Sequence, residues 1–298
     1  MASLKANGIT IEYEDSGDKN APAILLVMGL GAQLTRWPDE FCDKLAAGGF
    51  RVVRHDNRDC GLSQKFEAAG IPNMAELLQK SAQGQPIDAP YRLEDMAADA
   101  IGLLDVLKID KAHVVGVSMG GMIAQVLAAK HAGRVASMIS IMSSSGRRGL
   151  PPGKPEAMQA ITTRPMSGER EALIQNSIKV QRTIGSPGFA EDEAVLRRSA
   201  ERNIDRSYYP QGISRQFAAI MANGSRVDLL KTIRVPSLVI HGIDDPLVPV
   251  DAGKDTAANI PGSDLTLIPG MGHAIETKLV PILADAVLAH CRKAMATA

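Results

Sequence analysis

The sequence predicts an α/β protein: a mostly parallel sheet with helices on both faces, interrupted late in the chain by a helical subdomain. Three observations lead there. Short strand-like segments rich in apolar residues (23–28, 50–54, 112–117 and 134–142) alternate with longer amphipathic stretches, the rhythm of buried parallel strands joined by crossover helices. From 146 to 232 that rhythm stops, and this stretch carries a net charge of +5 against −5 for the rest of the chain. The strand pattern then resumes at Val235. The predicted boundaries are therefore a core of residues 1–145 and 233–298, with a helical cap, or lid, inserted as residues 146–232.

Each element follows from local chemistry. Gly8 to Glu14 alternates apolar and polar residues, as a half-exposed strand does, and residues 15–20 are turn-forming. Residues 23–28 form a buried strand that runs into Gly29-Leu30-Gly31, a loop where open α/β sheets place ligands. Residues 37–47 have helical spacing and stop at Gly48-Gly49. The strand at 50–54 gives way to the polar loop DNRDCGLS, residues 56–63. Met74 to Ser81 reads as a short helix and Tyr91 to Leu107 as an amphipathic one, with apolar residues at 93, 96, 97, 100, 103, 104 and 107. Within the insertion, helical patterns cover 169–181, 192–204 and 212–221; afterwards come a strand (235–241), a helix (250–259), a strand (264–268) and a final helix (274–294).

Composition narrows the function classes. A chain of 298 residues is long enough for one large core with an embedded subdomain. A formal net charge of zero gives no reason to expect nucleic acid or an anionic membrane surface as partner. Aromatic residues are 3% of the chain, too few for platforms on which bases or sugars stack. Cys42, Cys60 and Cys291 lack metal-ligand spacing and read as reduced thiols. The longest apolar stretch, residues 21–32, is broken by glycines and too short for a bilayer, and the N-terminus lacks a signal-peptide run. The expectation is a cytoplasmic protein acting on a small molecule, its oligomeric state left open, a homo-oligomer included.

The chemistry centres on Gly116-Val117-Ser118-Met119-Gly120. A strand leads into the serine and a small-residue helix leads out, so Ser118 sits at the tip of a sharp turn with its hydroxyl exposed. The helix N-terminus aims N–H groups and dipole at the same spot. A serine hydroxyl needs a base within reach, and the base needs an orienting carboxylate. His273 lies in the Gly-rich loop between the last strand and last helix, unlike His55, His113, His131, His241 and His290, which read as structural; His290, near a helix C-terminus, occupies a place favourable for a cation. An acid is offered by Asp244 or Asp245, after the strand at 235–241.

These motifs together resemble the α/β-hydrolase superfamily. The resemblance covers nearly all of the chain outside 146–232. Met28-Gly29-Leu30-Gly31, Trp37-Pro38-Asp39-Glu40-Phe41, DNRDCGLS and Ile268-Pro269-Gly270-Met271-Gly272-His273 look more specifically like the branch containing the aclacinomycin methylesterases. The resemblance implies Ser118 as nucleophile and His273 as base. It implies Asp245 as acid, because that residue precedes the x-x-Val-Pro step. It also implies an oxyanion hole from the backbone N–H groups of Leu30 and Met119. Two positions depart from the family's pattern: Met28 stands where histidine commonly precedes the loop glycine, and Asp59 where glycine is more usual. Arg58 is a candidate ion-pair partner, and Trp37 belongs either to the pocket lining or to the core. The implied activity is hydrolysis of a carboxylic ester through an acyl-enzyme, with lactone hydrolysis, C–C bond hydrolysis or non-catalytic small-molecule binding as alternatives. No cofactor and no metal is called for.

Overall fold

The computed structural model describes residues 1–163 and 167–297. Among them, eight strands form one sheet in the order β1-β2-β4-β3-β5-β6-β7-β8. The strands are β1 (Ala2–Ala6), β2 (Ile9–Ser16), β3 (Ala23–Val27), β4 (Arg51–His55), β5 (Ala112–Val117), β6 (Val135–Ile141), β7 (Ser237–Gly242) and β8 (Asp264–Ile268). β1 and β2 pair antiparallel with each other, and β2 antiparallel with β4; every pairing from β4 through β8 is parallel.

The central parallel strands are buried on both faces because helices cover both, whereas the edge strand β8 is partly exposed. Along β5, Ala112 and Val114 join one core cluster while Val115 and Val117 join the other, the two-residue alternation of a pleated strand. α3 (Leu93–Val106) and α4 (Met119–Lys130) pack on the first face. α1 (Asp39–Ala47) and α11 (Val280–Ala296) pack on the second. α10 (Val250–Asn259) connects β7 to β8, and α2 (Met74–Ala82) lies between β4 and α3. Trp37 is fully buried and stacks on Phe41 at 5.3 Å, so its ring belongs to the core.

The chain leaves the sheet after β6 and returns at β7. Between them lie α5 (Pro155–Thr162), α6 (Arg170–Ile184), α7 (Glu193–Arg206), α8 (Pro210–Asn223) and α9 (Val227–Leu230), with no strand among the described residues. The sequence pattern anticipated α6, α7 and α8; it did not anticipate α5, α9 or strand β1. These interposed helices are fastened to the loops that follow β3 and β4. Arg206 of α7 donates to Asp56 and to Gln33, and Gln33 donates to the carbonyls of Asn203 and Ser207. Arg215 of α8 grips Asp59 through two bonds of 2.8 Å, and both side chains are buried. Arg58 pairs with Asp99 of α3 in the same two-pronged way.

Candidate active site

Ser118 joins β5 to α4 with φ 55° and ψ −118°, a conformation L-residues avoid, at a cost of about 1–3 kcal/mol. The flanking glycines explain how the turn closes. A Cβ on Gly116 would lie 2.1 Å from the Gly120 carbonyl oxygen, and one on Gly120 would lie 2.0 Å from that of Val27. The turn is tied down by Ser118 N–H donating to Ile141 (3.0 Å) and by the Ser143 hydroxyl donating to the Ser118 carbonyl (2.7 Å). The Ser118 side chain remains partly exposed.

His273 reaches this hydroxyl from the loop after β8. Its Nε2 is 3.0 Å from Ser118 Oγ, and its Nδ1 is 2.7 Å from Asp245 Oδ2. A carboxylate can only accept, so Nδ1 carries the proton and Nε2 presents its lone pair to the serine hydroxyl, which donates. Asp245 Oδ1 in turn accepts from the N–H groups of Leu247 (2.9 Å) and Val248 (2.8 Å). Asp244, the neighbouring carboxylate, instead accepts from Gly270 N–H at 2.7 Å, which makes it a turn residue. α10 and β8 fill the interval between Asp245 and His273. The loop that carries His273 is also held by the interposed helices: His273 N–H donates to the Ile184 carbonyl at 2.7 Å, and Gly272 N–H to Ser186 at 2.9 Å.

A second imidazole stands beside Asp245. His241 Nε2 is 3.7 Å from Asp245 Oδ2 but donates to the Val248 carbonyl at 2.8 Å. Burial lowers its affinity for a proton, so it stays neutral beside Asp245. The same reasoning corrects the reading of His290. It is buried, burial lowers its pKa, and a cation is not favoured there despite the helix C-terminus.

The loop after β3 lies against the serine: a Cβ on Gly29 would sit 3.1 Å from Ser118 Cβ. Leu30 follows it in the chain, and Met119 opens α4 directly after Ser118. Asn57 Nδ2 donates to the Met28 carbonyl at 2.9 Å, and Gly31 N–H donates to Gln216 Oε1 of α8 at 2.8 Å. Sequence reasoning missed Gln216, Arg215 and Arg206, because their partners lie 150 or more residues away and no periodicity marks them. One turn along α4 a cavity of about 180 Å³ opens, with Ile87, Met122, Arg148, Ile220, Met221 and Arg226 among its lining residues.

This sheet order, with a serine on a strained strand-to-helix turn, defines an α/β hydrolase. Residues 22–275 match the family model described as the alpha/beta hydrolase fold, and the chain belongs to that family. Among its relatives is the rhodomycin D methylesterase DauP of Streptomyces sp. (strain C5), 27% identical over 96% of this chain and 96% of that protein. The 3-oxoadipate enol-lactonase 2 of Acinetobacter baylyi is 25% identical over 89% and 87%. Among solved structures, the meta-cleavage product hydrolase CumD of Pseudomonas fluorescens IP01 superposes with a TM-score of 0.76 at 21% identity, over 99% of this chain and 98% of that one. The chain is a hydrolase with methylesterase relatives. Among its described residues no helix is long and apolar enough to cross a membrane.

Proposed function

We propose that this enzyme hydrolyses a carboxylic ester by serine catalysis, with residues 146–232 forming a cap over the site. The observation that carries the reading is the unbroken chain of contacts from Ser118 through His273 to Asp245, at 3.0 and 2.7 Å. Ser118 Oγ attacks the ester carbonyl as its proton passes to His273 Nε2. The carbonyl oxygen becomes an oxyanion held by the N–H groups of Leu30 and Met119. Collapse expels the alcohol, which takes the proton from His273 and leaves an acyl-enzyme. Water, deprotonated by His273, then attacks the acyl carbon; the second tetrahedral intermediate collapses and returns the proton to Ser118. Asp245 holds the imidazole in the required tautomer and stabilises its charged form throughout.

Leu30 and Met221 pack against an apolar cluster that includes Ile87 and Phe217, which favours a bulky or medium-chain acyl ester over acetate. Kinetics on p-nitrophenyl acetate, butyrate and decanoate and on an aromatic methyl ester test this, and a strong preference for acetate refutes it. A fluorophosphonate that fails to label Ser118 in the folded protein removes the serine mechanism. A lactone belongs in the same panel, because an enol-lactonase stands among the relatives.

A further inference from the structure

Met28 leaves the loop after β3 without the histidine that commonly precedes its glycine, and Asp59 places a carboxylate where a glycine is more usual. Asp59 and the loop's Gly31 both meet the same helix, α8. Within the buried run 214–219 of α8 lie two long polar side chains, Arg215 and Gln216. Arg215 is taken up by Asp59. Gln216 bridges two loops at once: its Oε1 accepts from Gly31 N–H at 2.8 Å and its Nε2 donates to the Arg58 carbonyl at 2.7 Å. Because one partner can only donate and the other only accept, the orientation of this amide is fixed.

The loop is therefore held from outside itself. Asn57 grips the Met28 carbonyl on one side of Leu30, and Gln216 grips the Gly31 N–H on the other. Gly31 has φ 65°, and a Cβ there would fall 2.7 Å from Ile213, so α8 is seated directly on the loop. Gln216 is fully buried. Without its carbonyl, the Gly31 N–H would be left to find another acceptor by rotating its peptide.

We propose that Gln216 is a positioning residue for the oxyanion hole, so that the cap, and not the loop alone, fixes the direction of the Leu30 N–H. Arg215 and Asp59 hold the helix in the place from which Gln216 can reach. The inference rests on the reading of Ser118 and Leu30 above.

Gln216→Met removes the acceptor at similar volume; Gln216→Ala removes it without any risk of overpacking. Three measurements apply to whichever variant keeps its fold by circular dichroism. Hydrogen exchange at the Gly31 amide should accelerate at least tenfold. For p-nitrophenyl butyrate, kcat should fall about 10- to 100-fold, because the donor is displaced but not deleted, while KM stays within about threefold. The inhibition constant of a trifluoromethyl ketone, whose adduct carries the oxyanion, should rise by about the factor lost from kcat/KM. Unchanged Gly31 exchange, or kcat within twofold of the parent, overturns the proposal, as does a loss that appears in KM alone. If the parent enzyme itself neither turns over esters nor takes a fluorophosphonate at Ser118, the hydrolase reading has failed and the proposal fails with it. A parent that labels and turns over beside an unaltered variant defeats the proposal alone.

Discussion

Replacing Asp59 with alanine should be among the most damaging single changes in this protein. Asp59 Oδ1 accepts from Arg215 Nη2 and from Phe66 N–H, and Oδ2 from Arg215 Nε and the Tyr91 hydroxyl, all at 2.8 Å. The guanidinium left behind keeps only neutral acceptors, the Gly70 carbonyl and the Tyr209 hydroxyl, and is 1% exposed. Breaking a buried pair by removing one partner costs about 3–5 kcal/mol, because the surviving charge stays out of water. At roughly 2–4 °C per kcal/mol for a chain of this size, Tm should drop by about 6–20 °C. Urea unfolding followed by fluorescence reads this directly, since Trp37 is the single tryptophan and is fully buried. The sharper test is the double variant Asp59→Ala with Arg215→Met. Exchanging a whole buried pair for apolar groups is often near neutral, so the second substitution should recover most of the first one's loss. A single variant within about 1 kcal/mol of the parent would refute the reasoning, and so would a double variant less stable than either single.

Three further outcomes are expected. Ser118→Ala should lower turnover roughly 10⁴-fold or more, by analogy with other serine nucleophiles, while Tm stays level or rises slightly, because the turn's backbone strain is not supported by the hydroxyl; parallel kinetics and melting curves check this. Burial lowers the pKa of His55 and of His113 to about 4 from 6.5. The unfolded chain therefore binds more protons between those values, so stability should be full above pH 6.5 and fall as pH drops toward 4, by up to about 3 kcal/mol per histidine. Urea midpoints that stay flat from pH 7 to 4.5 would contradict this. Burial pushes the Cys42 and Cys291 thiols up to about 12 and that of Cys60 higher still. Ellman's reagent should then react with the three thiols only when urea unfolds the chain, and a stoichiometric reaction with folded protein would count against their burial.

What the sequence disclosed, and what it withheld, divides by the range of the interaction responsible. The parallel strands were legible because burial on both faces leaves apolar runs, unbroken at 23–27 and interrupted only by His113 and Gly116 at 112–117. Ser118, His273 and Asp245 were legible because each sits in a turn whose glycines, prolines and acids have a local reason to be there. β1 was missed because its exposure pattern, open at Ala2 and Ser3 and closed only at Ala6, gives no clean alternation. α5 was missed because its eight residues bury only Ala157. Asp59 looked like turn chemistry since nothing near it in the chain advertises Arg215, 156 residues later. Gln216 was silent for the same reason: an amide inside an amphipathic helix carries no mark of the loop it will hold.

The helices between β6 and β7 enter and leave the sheet at adjacent strands, which invites their treatment as an exchangeable cassette for altering substrate preference. The polar sutures argue otherwise. A transplanted segment lacking counterparts of Arg206, Arg215 and Gln216 would leave buried Asp56 and Asp59 without their guanidinium partners and remove the brace on Gly31 N–H. Successful chimeras of this enzyme should therefore carry the 56–63 loop along with the graft, so that recipient and donor match at the seam.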